Sequence, residues 1–341
     1  MNSLVDADRH ERMNAATNIV DYDLPKPDYR RNFQVEYERE PLIEAVAENL
    51  GMPGVARPRE IDGLSAMIAA VGEGSSNRPI VITNSCAEHV RLMEPIGDLA
   101  AKTLAELAVI DQSELDDPIA IQRVCGQFVK PRSRMMEAAP SGRRVFSYMG
   151  DGINGEAFGD RTPDPTRLVA GAVQSRALQE QLAATGSRVL AAHEALSLPY
   201  ELPFLRTDPE TGEDYLESAH LPWVGMRTNH VLTPQSKLVS TIKNAVGVKI
   251  GAMSDELHID DIARSLNPRD LPGKIVFMLR LSEDQSEYLP RILRGIKDSA
   301  PEAAILYDIH GATRTREEDG KKIRVVGDIV QGIERLAYAC G

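Results

Sequence analysis

Short apolar runs alternate with amphipathic helical segments through most of the chain. Seven such runs occur, each followed by a polar or Gly-rich loop and then by a helical pattern. The runs are RPIVITNSC, IAIQRVCG, SRVLAAH, HLPWVGM, AVGVKIG, KIVFMLRL and AAILYDIHG. This alternation is typical of parallel strands that are buried on both faces, in a doubly wound sheet or in a barrel. No GxGxxG motif follows the first run, which disfavours a dinucleotide-binding sheet.

The segments between the runs predict the helices of the same fold. They read VRLMEPIGDLAAKTLAEL, PTRLVAGAVQSRALQEQLAA, PQSKLVSTIKNA, SDELHIDDIARSL, SEYLPRILRGIKDS and VVGDIVQGIERLAYAC, with EPLIEAVAENLG and PREIDGLSAMIAAVGEG before the first run. We therefore predict an α/β protein with an N-terminal arm and helices over residues 1–75 and a parallel (β/α) barrel over residues 76–341.

Seven strand–helix units are one short of a complete (β/α)8 TIM barrel. A barrel that lacks its eighth strand would leave two edges with unpaired backbone groups, which are costly when buried. We expect something to cover them, either the alternating segment FQVEYERE, a second copy in a homo-oligomer, or a partner chain that completes the barrel.

Composition narrows the class of protein. The 341 residues carry a net charge of -12, which argues against nucleic acid as a partner because phosphate backbones select basic surfaces. The first residues are polar, and no stretch is long and apolar enough to span a membrane. Three cysteines without CxxC spacing indicate neither a disulfide framework nor a structural zinc site. The sequence thus predicts a cytoplasmic protein with no membrane partner.

Three cations lie within or at the end of otherwise apolar strands: Arg123, Lys249 and Arg280. Any one of them alone would more often pair with a nearby carboxylate than bind a ligand. Because the carboxyl ends of parallel strands form the active face of such folds, three together predict a strongly positive pocket. Arginine binds carboxylate and phosphate in bidentate fashion, so a small ligand that carries both groups would fit.

Other polar residues near the strand ends leave alternatives open. Cys86 and His310 could share a divalent metal, but each alone is more often a buried hydrophobe or a structural histidine. His193 and Glu194 could form an acid/base pair, yet adjacent strand residues point to opposite faces, so one of them is expected outside the site. The basic loop KPRSR is, on charge alone, equally consistent with a solvated turn.

These residues, in this order, resemble the type II 3-deoxy-arabino-heptulosonate 7-phosphate (DAHP) synthases. The matching segments are SCAEHV, RVCGQFVKPRS, GDGING, DPTRLV, HEALSLPYE, HLPWVGMRT, NAVGVKIG, NPRDLPGKIVFMLR and DIHGAT. They span about residue 80 to residue 315 without reordering. The resemblance implies a barrel whose site condenses phosphoenolpyruvate with erythrose 4-phosphate, a phosphorylated aldose.

The resemblance also implies roles for individual residues. A phosphoenolpyruvate site would include Arg123, Lys249 and Arg280, with Glu194 among the substrate contacts and Arg123, Lys249 and His310 as catalytic residues. The phosphate groups would be reached by Lys130, Arg132, Ser133 and Arg227. A divalent metal such as Mn²⁺ would be held partly by Cys86 and His310 and would polarise the aldehyde.

The chain departs from the family pattern at several points. Ser85 stands where an Asp is usual, Met226 replaces a Glu, and Met149 replaces the Arg of an RGD sequence. The chain ends at Gly341, before the family's eighth strand with its Glu ligand and a later loop with its Asp ligand. Substitute metal ligands would be needed, and the candidates are Glu88, Asp151 and Asp308.

Three functions are therefore weighed. The first is a phosphoenolpyruvate-dependent, aldol-type condensation with erythrose 4-phosphate or a related aldehyde acceptor, including acceptors of secondary metabolism. The second is a non-catalytic or split-enzyme subunit that binds phosphoenolpyruvate and needs a partner chain. The third is a purely structural barrel. The cluster of cations disfavours it, because burying cations that bind no ligand is costly.

Overall fold

Seven parallel strands form one closed barrel in the computed structural model of the protein. The structure describes residues 54–83, 94–111, 115–123, 135–187, 189–230, 233–281, 287–307, 314–315 and 322–323, together with Val35 and Val129. The barrel strands are β1 (Ile80–Thr83), β2 (Ile119–Gln122), β5 (Leu190–Glu194), β8 (Leu221–Val224), β9 (Val246–Gly251), β10 (Ile275–Arg280) and β11 (Ala304–Tyr307). Each coincides with one of the seven apolar runs, so the predicted barrel is confirmed.

The ring closes between the first and the last of these strands. Strand β1 pairs with β2 over four residues on one side, and on the other side Val81 pairs with Tyr307 of β11. A homo-oligomer or a partner chain stays a prediction, but the expectation of two open edges is wrong for these seven strands. The reason is geometric, because strand tilt and stagger allow a ring to close with fewer strands.

Short antiparallel strand pairs form separate sheets outside the barrel sheet. They are β3 (Met136–Ala138) with β4 (Arg144–Phe146), β6 (Leu205–Thr207) with β7 (Asp214–Leu216), and β12 (Arg314–Thr315) with β13 (Lys322–Ile323). The sequence patterns did not predict these hairpins, since two or three residues per strand are too few to show a periodicity.

The described helices are α1 (Pro58–Gly72), α2 (Ile96–Asp111), α3 (Thr166–Ala184), α4 (Leu198–Glu201), α5 (Pro234–Thr241), α6 (Glu256–Leu266) and α7 (Leu289–Ser299), with a 3₁₀ turn at Leu202–Phe204. Their starts follow local chemistry. Asp255 caps α6 by accepting from the backbone N–H of His258, and Thr233 caps α5 by accepting from that of Ser236. The predicted helices at 40–51 and 325–340 lie outside the described residues.

Alternate residues of the barrel strands form an inner cluster, which fills the barrel. It contains Ile80, Ile82, Ile119, Ile121, Leu190, Ala192, Leu221, Trp223, Ala245, Val276, Met278, Ala304 and Leu306, with Leu64 and Ile68 of α1. The intervening residues, such as Val248 and Phe277, belong to an outer cluster with the helices. This division follows from the two-residue period of a strand.

Helix α1 closes the amino end of the barrel. Leu64 and Ile68 enter the inner cluster beside the first residues of the strands. Gly273, just before β10, has a positive φ of 63°, and a Cβ there would lie 2.4 Å from the backbone nitrogen of Ala69. Only glycine permits this approach. The amino end is therefore plugged, and the division at residues 75 and 76 stays a prediction.

A buried lysine braces the same end. Lys274 is 5% exposed, and its ammonium donates to the carbonyls of Val239, Ile242 and Asn244, which follow or end helix α5. These carbonyls would otherwise lack partners at the helix C-terminus. Burial lowers the pKa of Lys274 to about 7 from its ordinary value of 10.5.

We expect the wild-type protein to gain stability relative to Lys274→Met as the pH rises from about 7 to 10.5. In that window the unfolded chain binds a proton at Lys274 that the folded chain does not, so raising the pH favours the folded state. The relative gain should be on the order of a few kcal/mol. Urea unfolding of both proteins at pH 7 and pH 9 measures it, and parallel pH dependences would contradict the account.

Candidate functional site

The inward-facing positions continue beyond the inner cluster at the carboxyl end of the barrel. Along each strand the next residue of the same alternation is polar or is glycine: Arg123 after β2, Glu194 at the end of β5, Gly225 after β8 and Lys249 in β9. Arg280 ends β10 in the same alternation. We call the described positions 123, 194, 225 and 249 the mouth. The apolar side chains that fill the barrel thus end at these positions, and polar or charged residues follow toward the carboxyl ends of the strands.

The indole of Trp223 forms the floor of the mouth. The Lys249 ammonium lies 4.8 Å from the ring centroid, and the Arg123 guanidinium carbon lies 5.6 Å from it. Both distances are within the range of cation–π attraction. The indole fits because a Cβ on the facing Gly247 would lie 2.8 Å from the Trp223 Cβ. A single aromatic surface thereby holds two cations side by side.

Both cations are nearly excluded from solvent. Arg123 is 5% exposed and Lys249 is 6% exposed. Within the described ranges no carboxylate lies at ion-pair distance from the Lys249 ammonium, which contacts the Trp223 ring. The strand itself is fixed, because Asn229 donates to the Lys249 carbonyl at 2.8 Å. A buried ammonium without a carboxylate is costly unless an anion reaches it.

Adjacent residues of β5 face opposite sides of the barrel wall. Glu194 turns inward, and its Oε1 would lie 2.3 Å from a Cβ on Gly225, so the glycine leaves the space that this carboxylate uses. His193 turns outward, where its Nε2 hydrogen-bonds to Glu201 Oε1 at 2.8 Å. Of the predicted acid/base pair, the structure thus brings Glu194 to the mouth and His193 to the outer wall.

The loop after β8 is held by hydroxyl groups. The backbone N–H of Gly225 donates to Thr228 Oγ1, and the Thr228 carbonyl accepts from the hydroxyls of Thr233 and Ser236. This bracing carries Arg227, which is exposed above the mouth. The predicted contact of Arg227 with a phosphate group stays a prediction.

A second braced segment follows the KPRSR loop. Asn154 is fully buried; its side-chain oxygen accepts from the Met149 N–H, and its side-chain nitrogen donates to the carbonyls of Ser147 and Arg161. Arg161 in turn donates to Glu137 of β3. Hydrogen bonds therefore cross-link the segment over residues 137–161, which follows the predicted phosphate-binding loop in sequence.

The predicted site residues divide into two groups. Arg123, Glu194 and Lys249 meet at the mouth, with Arg227 exposed beside it. Cys86, Lys130, Arg132, Ser133 and His310 lie outside the described residues, as do the candidate ligands Glu88 and Asp308. The third candidate ligand, Asp151, accepts a hydrogen bond from the Tyr148 hydroxyl at 2.7 Å.

Sequence reasoning missed the neutral residues that shape the mouth. Trp223, Gly225 and Gly247 were not assigned a role, although Gly247 within a buried strand is a recognised mark of close approach. Glu201 was also missed. A carboxylate inside the apolar run LPYELPF was a usable signal, because such a group is buried only with partners.

The arrangement suits the binding of a compact anion. Two buried cations and an inward carboxylate line the mouth over an aromatic floor, so phosphate or carboxylate oxygens gain charge-assisted hydrogen bonds in a dry environment. In the described ranges no three His, Cys, Asp or Glu side chains come together as a metal site. No helix in those ranges is both long and apolar enough to cross a membrane.

Comparison with known proteins identifies a family and relatives that this chain resembles. A family model described as the class-II DAHP synthetase family matches residues 27–189 and 178–339. A probable phospho-2-dehydro-3-deoxyheptonate aldolase from Pseudomonas fluorescens is 30% identical over 80% of this chain and 68% of its own. A phospho-2-dehydro-3-deoxyheptonate aldolase from Streptomyces coelicolor is 26% identical over 88% of this chain and 79% of its own.

One solved structure also resembles the chain. It is a phospho-2-dehydro-3-deoxyheptonate aldolase from Francisella tularensis, with a TM-score of 0.48 and 14% sequence identity. The match covers 87% of this chain and 96% of that one.

Proposed function

The chain belongs to the class-II DAHP synthetase family, and from this premise we propose that it condenses phosphoenolpyruvate with erythrose 4-phosphate or a closely related aldehyde. Members of this family are transferases that carry out an aldolase-type condensation. The observation that carries the proposal for this chain is the mouth itself. Arg123 and Lys249 are buried together on the Trp223 ring at the carboxyl end of the barrel.

The charges of phosphoenolpyruvate suit the cations of the mouth. Its carboxylate and phosphate lie on a three-carbon frame, so one molecule can contact neighbouring cations at the same time. Arg123 offers a planar fork for bidentate contact, whereas Lys249 offers a compact point charge. Arg280 ends β10, the neighbour of β9, and we assign it to the same anion as a third cation.

The bonds that change can be assigned to this geometry. The C3 carbon of phosphoenolpyruvate forms a bond to the aldehyde carbon, and the aldehyde oxygen becomes a hydroxyl by taking up a proton. Water adds at C2 and gives up its protons, and a ketone forms at C2 as the C2–O bond breaks and phosphate leaves. Arg123 and Lys249 hold the carboxylate and phosphate and offset the charge that develops on them. At the described strand ends Glu194 is the one inward carboxylate, and we assign it to hold the water that adds.

Cys86 and His310 are proposed to hold a divalent metal. They follow β1 and β11, which are neighbours in the barrel, and a thiolate with an imidazole is a donor set that suits transition metals. When bound there, a metal would polarise the aldehyde oxygen of the acceptor.

An assay with both substrates tests the proposal. The purified protein is mixed with phosphoenolpyruvate, erythrose 4-phosphate and Mn²⁺, and the loss of phosphoenolpyruvate absorbance is compared with release of inorganic phosphate. We expect equimolar loss and release, and neither without the aldehyde. Binding of phosphoenolpyruvate without turnover would favour the alternative of a binding subunit that needs a partner. Failure to bind phosphoenolpyruvate would refute the proposal.

A further inference from the structure

We propose that His193 and Glu201 form a positioning pair that fixes the end of β5 and thereby aims the Glu194 carboxylate into the mouth. The inference rests on the proposed function, because it assigns a role to residues that act through Glu194. Neither His193 nor Glu201 faces the mouth. Their effect on the reaction is therefore expected to pass through the strand end.

The pair is built into the outer wall of the barrel. The Glu201 side chain is fully buried, and its two oxygens have different partners: Oε1 meets His193 Nε2 at 2.8 Å and Oε2 accepts from the Ser218 hydroxyl at 2.6 Å. The ring of Tyr200 meets the His193 ring edge-on, with centroids 5.9 Å apart. The imidazole is thus held by both a hydrogen bond and packing.

Burying a carboxylate costs free energy. Its use to hold a strand therefore indicates a geometric requirement. Apolar residues of similar volume would stabilise the same contact at least as well. A hydrogen-bonded pair differs from an apolar contact because it fixes both distance and direction. The residue that it fixes is the direct neighbour of Glu194.

The strand end is constrained on its other sides as well. The Ala195 N–H donates to the Trp223 carbonyl at 2.9 Å, and the Leu196 N–H turns back to the Glu194 carbonyl at 2.8 Å. Gly225 leaves no more space than the Glu194 carboxylate occupies. With the backbone held by β8 and the turn, the His193 anchor is what sets the rotation of the strand about its axis. That rotation decides where Glu194 points.

The experiment compares His193→Leu with His193→Gln. Leucine removes the hydrogen bond to Glu201, whereas the glutamine side-chain nitrogen can occupy the place of Nε2 and still donate. We expect His193→Leu to lower kcat by about 10- to 100-fold, since small displacements at a reacting group have effects of this size. The KM for phosphoenolpyruvate should change much less, and His193→Gln should restore most of kcat.

Two controls separate positioning from stability. Ser218→Ala removes the other partner of the same carboxylate, and it should cost stability while kcat stays near that of the wild type. In a Glu194→Gln background, His193→Leu should have little further effect on kcat, because both changes act on the same group. Circular dichroism confirms that each variant is folded at the assay temperature.

Several results would overturn the inference. It fails if the effects of His193→Leu and Glu194→Gln on kcat are additive, if Ser218→Ala lowers kcat as much as His193→Leu, or if His193→Gln does not restore kcat. The proposed reaction would survive each of these results. A wild type that binds phosphoenolpyruvate without turnover overturns the condensation, and the positioning role falls with it. A wild type that neither reacts with nor binds phosphoenolpyruvate overturns the proposed function and the positioning role together.

Discussion

Replacing Lys249 with methionine should abolish most of the activity while making the protein more stable. We expect kcat/KM for phosphoenolpyruvate to fall by about 10²- to 10³-fold, the usual cost of removing one preorganised donor from developing charge. Lys249 is 6% exposed and lies 4.8 Å from the Trp223 ring, with no described carboxylate at ion-pair distance. Removing a buried ammonium that no carboxylate in the described ranges neutralises should raise the free energy of unfolding by about 1 kcal/mol or more.

Steady-state kinetics and urea unfolding of the same preparations measure the two effects. The matched control is Lys297→Met, which removes an exposed lysine of α7 and should change neither quantity. If Lys249→Met were destabilised and its affinity for phosphoenolpyruvate unchanged, the lysine would be a structural residue rather than a ligand-binding one.

Replacing Trp223 with alanine should damage both the barrel and its mouth. Loss of a 5% exposed indole from the inner cluster should cost about 3–5 kcal/mol of stability. It also removes the surface that holds the Arg123 and Lys249 side chains in place. We therefore expect phosphoenolpyruvate to bind at least about 10-fold more weakly, since each cation–π contact contributes about 1 kcal/mol.

Two further variants separate these effects. Trp223→Phe keeps an aromatic face but loses one of the two fused rings and the indole N–H. That N–H has no acceptor among the described residues, so much of the affinity should be retained. Phe277→Ala removes a fully buried ring of the outer cluster from strand β10, which does not pair with β8. Phe277→Ala should lower the free energy of unfolding by about as much as Trp223→Ala does, and it should leave the affinity for phosphoenolpyruvate unchanged. Equal losses of affinity in Phe277→Ala and Trp223→Ala would mean that the indole has no specific role.

The barrel strands were predictable because each one is a short, continuous apolar run between polar segments. Each of the seven apolar runs became a strand, since a run buried on both faces has few other stable arrangements. Helix ends were less certain; the segment predicted from residue 90 is helical over Ile96–Asp111. The closure between β1 and β11 was not predictable, because it depends on the stagger of the whole ring and not on any local pattern.

The charged part of the site was partly predictable for the same reason. The two-residue period already separated His193 from Glu194, and three cations within or at the ends of apolar runs already indicated a ligand. The neutral part was not predictable. That Trp223 supports both cations, and that Gly225 and Gly247 leave room for Glu194 and the indole, depends on which strands are neighbours. Sequence spacing alone does not contain that information.

A calorimetric titration of phosphoenolpyruvate into the purified protein tests the central claim most directly. If the buried cations of the mouth hold this anion, it binds to a single site, more tightly than inorganic phosphate or pyruvate alone, because only phosphoenolpyruvate presents both groups to Arg123 and Lys249. Binding should be lost in Lys249→Met and kept in Lys297→Met. Absence of binding by the wild type, or equal binding by both variants, would contradict the account.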